Sequence, residues 1–401
     1  MEAFHDSNTF EPDLFRGTAQ MNSDIVNCTI KLFNGDEDTH AMTTCGGTES
    51  IIASIAAYKL YARKEKGITK PNLVFFESAH AAFMKGCYYM NIEMRRIPMN
   101  RNVESTAEAA RPYIDSNTIA VVASACNYAH GAIDDIAAFG QLALEFGIGL
   151  HVDNCLGGFV NCFGESFKKD MFDYDFRVPG VTTISADTHK YGYGPKGMSV
   201  MLCRPKRLFD ALRFTSLDHS GAPFSMDNLG SFRSGSILAG TWVSLMKNGL
   251  NTFNSKTEKI YKTTAYIREK IQEIPEVQLY SSNNSLNMIC FDTKTINSIS
   301  VSLKMKEKDH WHLSECQRPC VLHLLISESN YDKADKFLED LKKAIELVKE
   351  KSKVKQSGYQ TLYGVSTVIN DKGILDELLY ILLDGAYATT RERCRISMKI
   401  D

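Results

Sequence analysis

The stretch most able to do chemistry is Ser185-Ala186-Asp187-Thr188-His189-Lys190-Tyr191-Gly192-Tyr193-Gly194-Pro195-Lys196-Gly197, a His-Lys pair running into a glycine-rich turn. The run before it, Val181–Ala186, has the length and β-branched content of a strand, which puts Lys190 at a strand end beside permissive backbone. An amine placed there can form a Schiff base with an aldehyde cofactor, of which pyridoxal 5'-phosphate is the usual one. A His-Lys pair alone carries no weight; it gains weight from other segments. Asp153, in His151-Val152-Asp153, closes a second apolar run, and a carboxylate there can keep a pyridine nitrogen protonated. Capping the next turn is the plainer role of such an aspartate. Thr44-Cys45-Gly46-Gly47-Thr48-Glu49-Ser50 precedes a helical pattern of Ile51, Ile52, Ile55, Ala56 and Leu60. Gly46, Gly47 and Thr48 would expose free N–H groups at the positive end of that helix, as a phosphate cradle does, although a plain N-cap reads the same way. His80, in Ser78-Ala79-His80-Ala81-Ala82-Phe83, follows the strand-like Leu73–Phe76 and can either stack on a cofactor ring or pack in the core. Phosphate cradle, stacking imidazole, pyridine carboxylate and Schiff-base lysine, in that order, point to pyridoxal phosphate.

The elements that must position these residues alternate. Strands are expected at Leu73–Phe76, Met94–Ile97, Thr118–Ala123, Ile148–Asp153, Val181–Ala186 and Met198–Cys203, with a helix at Asp135–Phe146. Alternation of this kind predicts a mostly parallel sheet covered by helices, with ligands beyond the carboxyl ends of the strands. After about Asn251 the pattern changes to a helix near Lys256–Ile274 and strands at Val277–Tyr280, Leu286–Phe291 and Val321–Ile326, with a turn at Ser281–Ser285. An amphipathic helix over Ala334–Val348 follows, and Lys349–Lys355 reads as its solvated end. The expected organisation is an N-terminal arm and helix over 1–40, a large domain over 41–250 and a smaller α+β domain over 251–401.

Composition excludes more than it identifies. The chain has 401 residues, 46 basic and 48 acidic, for a net charge of −2, so no basic field points to nucleic acid. No apolar run is long enough to span a bilayer, and the polar start Met1–Asp6 is unlike a signal peptide. Eleven cysteines without regular spacing fit reduced thiols and a cytoplasmic protein. His310, His312, Cys316 and Cys320 are zinc-ligand types, but they lack the spacing of a zinc site, and no metal is expected.

The chain resembles the sphingosine-1-phosphate lyases, within the group II decarboxylase branch of fold-type I pyridoxal-phosphate enzymes. Gly46–Ser50, Ser78–Phe83, His151-Val152-Asp153-Asn154-Cys155-Leu156-Gly157-Gly158-Phe159, Phe172-Asp173, Asp175–Val178, Gly180–Thr182 and the whole Ser185–Gly197 block carry the likeness, which runs from about Ser7 to the Tyr363-Gly364 region and beyond. The resemblance implies an aspartate aminotransferase-like α/β fold, a homodimer with a shared active site, and a reaction. Phosphorylated sphingoid bases would be cleaved by retro-aldol chemistry to a long-chain aldehyde and phosphoethanolamine, in sphingolipid catabolism. On this reading Lys190 holds the cofactor, Asp153 its ring nitrogen, and His80 one ring face, with Cys155 near the other. Gly46, Gly47, Thr48 and His189 bind the cofactor phosphate, and Lys196 and Arg233 the substrate phosphate. The chain departs from the family pattern in places. It begins after the family's membrane anchor and Ser-Gly-Ala-Val-Tyr stretch, and peripheral attachment to the endoplasmic reticulum stays open. Phe224 stands where the family has a tyrosine; Ser231-Phe232-Arg233-Ser234-Gly235-Ser236 replaces a glycine-richer loop; Asn154 and Cys45 also differ. The alternatives are an amino-acid decarboxylase and a catalytically silent cofactor-binding dimer partner.

Overall fold

The computed structural model describes residues 1–100, 104–280, 285–350 and 372–392. An N-terminal segment leads into helix α1 (Arg16–Leu32) and strand β1 (His40–Thr44), then α2 (Gly47–Lys66), β2 (Asn72–Phe76), α3 (Ala81–Met90) and β3 (Glu93–Ile97). The short α4 (Ala107–Ala110) precedes β4 (Thr118–Ser124), α5 (Ile136–Phe146), β5 (Gly149–Asp153), α6 (Gly158–Gly164), β6 (Val181–Ala186) and β7 (Ser199–Cys203). These strands form one seven-stranded sheet in the order β1-β7-β6-β5-β4-β2-β3. From β6 to β3 every pairing is parallel, while β7 and β1 run antiparallel at the other edge. All of β2, β4 and β7 is buried, which is why these strands read as continuous apolar runs rather than alternating ones. The mostly parallel α/β sheet expected from the sequence is the sheet observed. Strand β1, with the sequence His-Ala-Met-Thr-Thr, was not expected: it pairs with β7 across most of the large sheet's sequence.

Beyond β7 come α7 (Lys206–Asp210) and a hairpin of β8 (Phe214–Ser216) and β9 (Phe224–Met226), then the long α8 (Gly235–Ile271). The helix expected from Lys256 begins instead at Gly235, because Leu238, Ala239 and Leu245 bury an apolar face well upstream. Gly249, at φ 60° and ψ 175°, breaks its helical geometry at a corner that only glycine adopts readily. A four-stranded antiparallel sheet follows, β10 (Gln278–Tyr280), β11 (Met288–Asp292), β12 (Ser314–Glu315) and β13 (Leu322–Leu325), in the order β10-β11-β13-β12. It is flanked by α9 (Ser298–Asp309) and α10 (Ala334–Glu350), whose Phe337, Leu338, Leu341, Ala344 and Ile345 form the buried stripe read from the sequence. Residues from this sheet, such as Met288, Ile289 and Phe291, share one apolar core with Val121, Val152 and Ile184 of the large sheet. All but Ser285 of the expected turn at Ser281–Ser285, and the lysine-rich 351–355, lie outside the described residues. Among the described residues no helix is long and apolar enough to cross a membrane.

Candidate active site

In a sheet of this kind, chemistry collects beyond the carboxyl ends of the parallel strands, above all where successive connections leave on opposite sides. Here that point lies between β2 and β4, since β2 pairs with β3 on one side and β4 on the other. The segments after β2, β4 and β6 carry His80, Tyr128 and Lys190, and β5 ends on Asp153.

Lys190 is partly buried, and its Nζ lies 2.9 Å from Oδ2 of Asp187, which is 2% exposed. His189 approaches the same oxygen through Nε2 at 3.5 Å, and its Nδ1 accepts the Met198 N–H at 3.1 Å. Burial opposes the charge on Lys190, but the carboxylates of Asp187 and Asp153 outweigh it and hold the amine above the ordinary lysine range. Burial lowers His189 below the usual imidazole value. Asp187 Oδ1 has no hydrogen-bond partner among the described residues, an acceptor left within reach of whatever Lys190 binds. Asp187 was missed in the sequence; its place three residues before the lysine, where a turn brings both side chains together, was the available signal.

Asp153 closes β5 in parallel register with Ser185 of β6. Its Oδ1 accepts the Cys155 N–H at 3.0 Å and the Ser185 hydroxyl at 3.4 Å, so Oδ2 is left for a partner from the site. The aspartate thus does cap its following turn, and does so with one oxygen only. Cys155 is buried, and burial with the nearby Asp153 and Asp187 pushes its thiol well above the usual value, keeping it neutral.

Helix α2 starts at Gly47 with Gly46 as N-cap and no side chain capping it, so its first N–H groups and the positive end of its dipole face the turn. Gly47 has no room for a side chain: a Cβ there would lie 2.6 Å from Cys155 Sγ and 2.8 Å from Asp187 Oδ1. That distance ties the cradle to both the β5 and β6 ends. Thr48 is exposed. Glu49, also missed in the sequence, is buried and accepts the Cys45 N–H at 2.6 Å and the Gly230 N–H at 3.1 Å. Arg233 meets Glu49 at 3.6 Å and donates to the Ser231 carbonyl at 2.8 Å, so this predicted phosphate ligand sits beside the cradle inside an ion pair. Lys196 folds back, its Nζ donating to the His189 carbonyl at 3.0 Å.

His80 is the N-cap of α3, its Nδ1 accepting the Ala82 N–H at 3.1 Å. That bond puts the proton on Nε2 and fixes the ring, which meets Tyr128 edge-on at 6.1 Å. Tyr128, unremarked in the sequence, also meets His323 of β13 edge-on at 5.2 Å, linking the two sheets at the mouth of the site. Phe224 packs its ring on Phe10 at 6.1 Å and on Phe214 at 6.3 Å in the β8–β9 hairpin. Cys316 turns to the Ala129 carbonyl at 2.9 Å and to His323, and no group of three metal-ligand side chains gathers among the described residues. The cysteines of the described residues are all free thiols.

These residues fit pyridoxal phosphate: an amine for its aldehyde, uncapped helix N–H groups beside a glycine with no room for a Cβ, and a carboxylate oxygen left open for a ring N–H.

Comparison with known proteins agrees. The pyridoxal-dependent decarboxylase conserved domain matches residues 17–294. Over 96% of the chain it is 33% identical to a sphingosine-1-phosphate lyase of Arabidopsis thaliana and 34% identical to sphingosine-1-phosphate lyase 1 of Mus musculus, spanning 71% and 67% of those proteins. The structure of a Burkholderia pseudomallei sphingosine-1-phosphate lyase superposes with a TM-score of 0.83 at 32% identity, over 87% of this chain and 82% of that one. A Lactobacillus brevis glutamate decarboxylase shares the fold, with a TM-score of 0.78 at 20% identity over 88% of this chain and 85% of that one.

Proposed function

The chain belongs to the pyridoxal-dependent decarboxylase family, on its sphingosine-1-phosphate lyase branch, and from that premise we propose its reaction and the roles of its residues. It is a pyridoxal-phosphate-dependent carbon–carbon lyase of sphingolipid catabolism. Its substrate is a phosphorylated sphingoid base, cleaved between C2 and C3 to a long-chain aldehyde and phosphoethanolamine. Bound pyridoxal phosphate supplies the electron sink for the pair left on C2. Lys190 Nζ would hold the cofactor aldehyde, and its place beside Asp187 suits it to carry a proton. Asp153 Oδ2 would hold the ring N–H, and His80 and Cys155 would flank the ring. The N–H groups of Gly47 and Thr48, with Gly46 and His189 beside them, would bind the cofactor phosphate. Lys196 and Arg233 take the substrate phosphate, Lys196 as a mobile point charge and Arg233 as a planar fork. Residues 41–250 act as the cofactor-binding unit and 251–401 as the smaller one.

The observation that carries this reading is Lys190 Nζ at 2.9 Å from buried Asp187, with the same carboxylate against the Gly47 cradle. Purified, cofactor-loaded protein is expected to release aldehyde from a labelled sphingoid-base phosphate, and a Lys190→Ala variant to release none. No release by cofactor-loaded wild type would sink the lyase reading; carbon dioxide released from an amino acid would replace it with decarboxylation.

The active form is a homodimer. Support comes from the apolar surface flanking the cradle loops, where Phe214 is 60% and Leu217 82% exposed next to the half-exposed Phe10 and Phe232. Sedimentation at a monomer's mass would remove this part of the reading. Its place is the cytoplasm, peripheral to the endoplasmic reticulum, as its lipid substrate favours; fractionation tests that.

A further inference from the structure

The polar residues beneath Asp153 form one chain of hydrogen bonds. His151 Nε2 lies 3.2 Å from the Ser185 hydroxyl that reaches Asp153, and His151 Nδ1 lies 2.8 Å from Thr183 Oγ1. Thr183 Oγ1 is 2.7 Å from the Tyr58 hydroxyl, which is itself 2.7 Å from Thr182 Oγ1. Tyr58, His151, Asp153, Thr183 and Ser185 are all buried. Period-two geometry explains the alignment: His151 and Asp153 share one face of β5, and their parallel partners Thr183 and Ser185 share the same face of β6. Tyr58 arrives from α2, and its ring occupies the space a Cβ on Gly149 would need, 2.2 Å from Tyr58 Cε1.

Only one direction satisfies the chain. An ionised carboxylate can only accept, so Ser185 donates to Asp153 and accepts from His151 Nε2–H. Nδ1 then accepts from Thr183, and the Tyr58 hydroxyl closes the far end between Thr183 and Thr182, whose own hydroxyl donates to the Leu150 carbonyl at 3.2 Å. Burial holds His151 neutral, at about 4, which leaves it one donor and one acceptor nitrogen, both used here. Donors aligned head to tail polarise one another toward the carboxylate.

We propose that Tyr58, Thr183, His151 and Ser185 form a positioning relay that orients Asp153, with Oδ1 engaged and Oδ2 presented to the cofactor's ring nitrogen. The inference rests on the cofactor reading above and extends it into the sheet. The groups facing Asp153 are Lys190, Cys155, Cys126 and Asp134, with His151 on its own strand. Of these only Lys190 is a cation, and it is shared with Asp187. The relay therefore supplies neutral donors where the carboxylate would otherwise lean on the catalytic amine. A merely structural role is the competing account, since the His151 ring also meets Phe83 edge-on at 5.4 Å.

The test uses holoenzyme loaded with pyridoxal phosphate carrying 15N in its ring. In Ser185→Ala the ring-nitrogen signal is expected to move from the protonated toward the neutral position, with kcat lowered about tenfold and KM unchanged. Tyr58→Phe, at the far end and nearly isosteric, should move the signal the same way by less, and Ser185→Thr should restore it. Ring signals identical to wild type in both Ser185→Ala and Tyr58→Phe would overturn the relay, whatever their thermal stability. Wild-type protein that takes up no label would overturn the cofactor reading on which it rests.

Discussion

The floor of the site and its rim are built in opposite ways. The floor is Asp153 and the residues under it, drawn from adjacent strands whose ladder fixes every spacing: Ser185 opposes Asp153 and Thr183 opposes His151 in register. The rim is Glu49 and what it gathers. One carboxylate takes the N–H groups of Cys45 and Gly230 and meets Arg233, while Arg233 N–H donates to Thr9 Oγ1 at 2.9 Å and Gly235 N–H to the Ser7 carbonyl at 2.8 Å. Backbone ladders make the floor, and side-chain-to-backbone bonds between segments remote in sequence make the rim. Position within the floor is therefore over-determined, whereas the rim hangs on single residues. Ring electronics need the first arrangement, and phosphate recognition is open to change through the second.

The largest effect expected is at the floor's opening. Lys190→Ala should lower turnover on the order of 10³-fold or more, since the amine proposed to anchor the cofactor is lost, and should lower the melting temperature too, since the buried Asp187 loses its charge partner. Residual turnover within tenfold of wild type would place the chemistry elsewhere. Gly47→Ala comes next, where floor and rim touch. The added methyl meets Cys155 Sγ and Asp187 Oδ1, and overpacking of about 1–3 kcal/mol should appear as roughly tenfold or more weaker cofactor binding in a titration. Unchanged affinity would mean that the α2 start is not the cradle. At the rim, Glu49→Gln weakens two N–H bonds and strips Arg233 of its charge partner, which should cost about 1–3 kcal/mol in denaturant unfolding. A loss no larger than that of an exposed ion pair would erase the contrast drawn here.

The smallest effect is a slope. Burial raises the Asp134 carboxyl to about 7, and burial lowers His151 to about 4. Between about pH 4 and 7 the folded state holds Asp134 protonated where the unfolded state does not, so this group's contribution falls as pH rises. His151 works the other way: the unfolded chain binds its proton below about 6.5 and the folded one does not, so its contribution is lost as pH falls. The two oppose each other in the same window. Asp134→Asn should therefore leave a stability that rises from pH 4.5 to 6.5 more steeply than wild type, measured by thermal melts. Parallel curves would show that Asp134 is not held protonated as its burial implies.

Much of the floor was legible because a strand's period and a residue's type coincide there. A histidine, an aspartate and a lysine at the ends of apolar runs are visible without a fold, and β2, β4, β5, β6 and β7 lie close to the runs read from the sequence. Strand β1 was not legible, since His-Ala-Met-Thr-Thr has neither a continuous apolar run nor strict alternation; it is a strand because β7 offers it an edge. The β8–β9 hairpin failed to show for the same reason, its six residues being largely exposed or half-buried. The start of α8 was misplaced because Gly235, Ser236 and Gly240 weaken the helical signal that buried Leu238 and Ala239 then override. Within the site, Asp187 was overlooked because a carboxylate beside a lysine is usually just a surface pair, and only its burial shows otherwise.

By itself the sequence determined the chemistry available and the layered α/β class: one amine, one strand-end carboxylate, a glycine turn opening a helix, and apolar runs at parallel-sheet spacing. Those follow from local geometry, which each residue carries with it. Tertiary structure alone decided which groups share a proton or a charge. Asp187 belongs to Lys190, Glu49 to Arg233 and Gly230, and Tyr58 to His151 through Thr183, because strand register and helix packing bring together atoms that the chain keeps far apart.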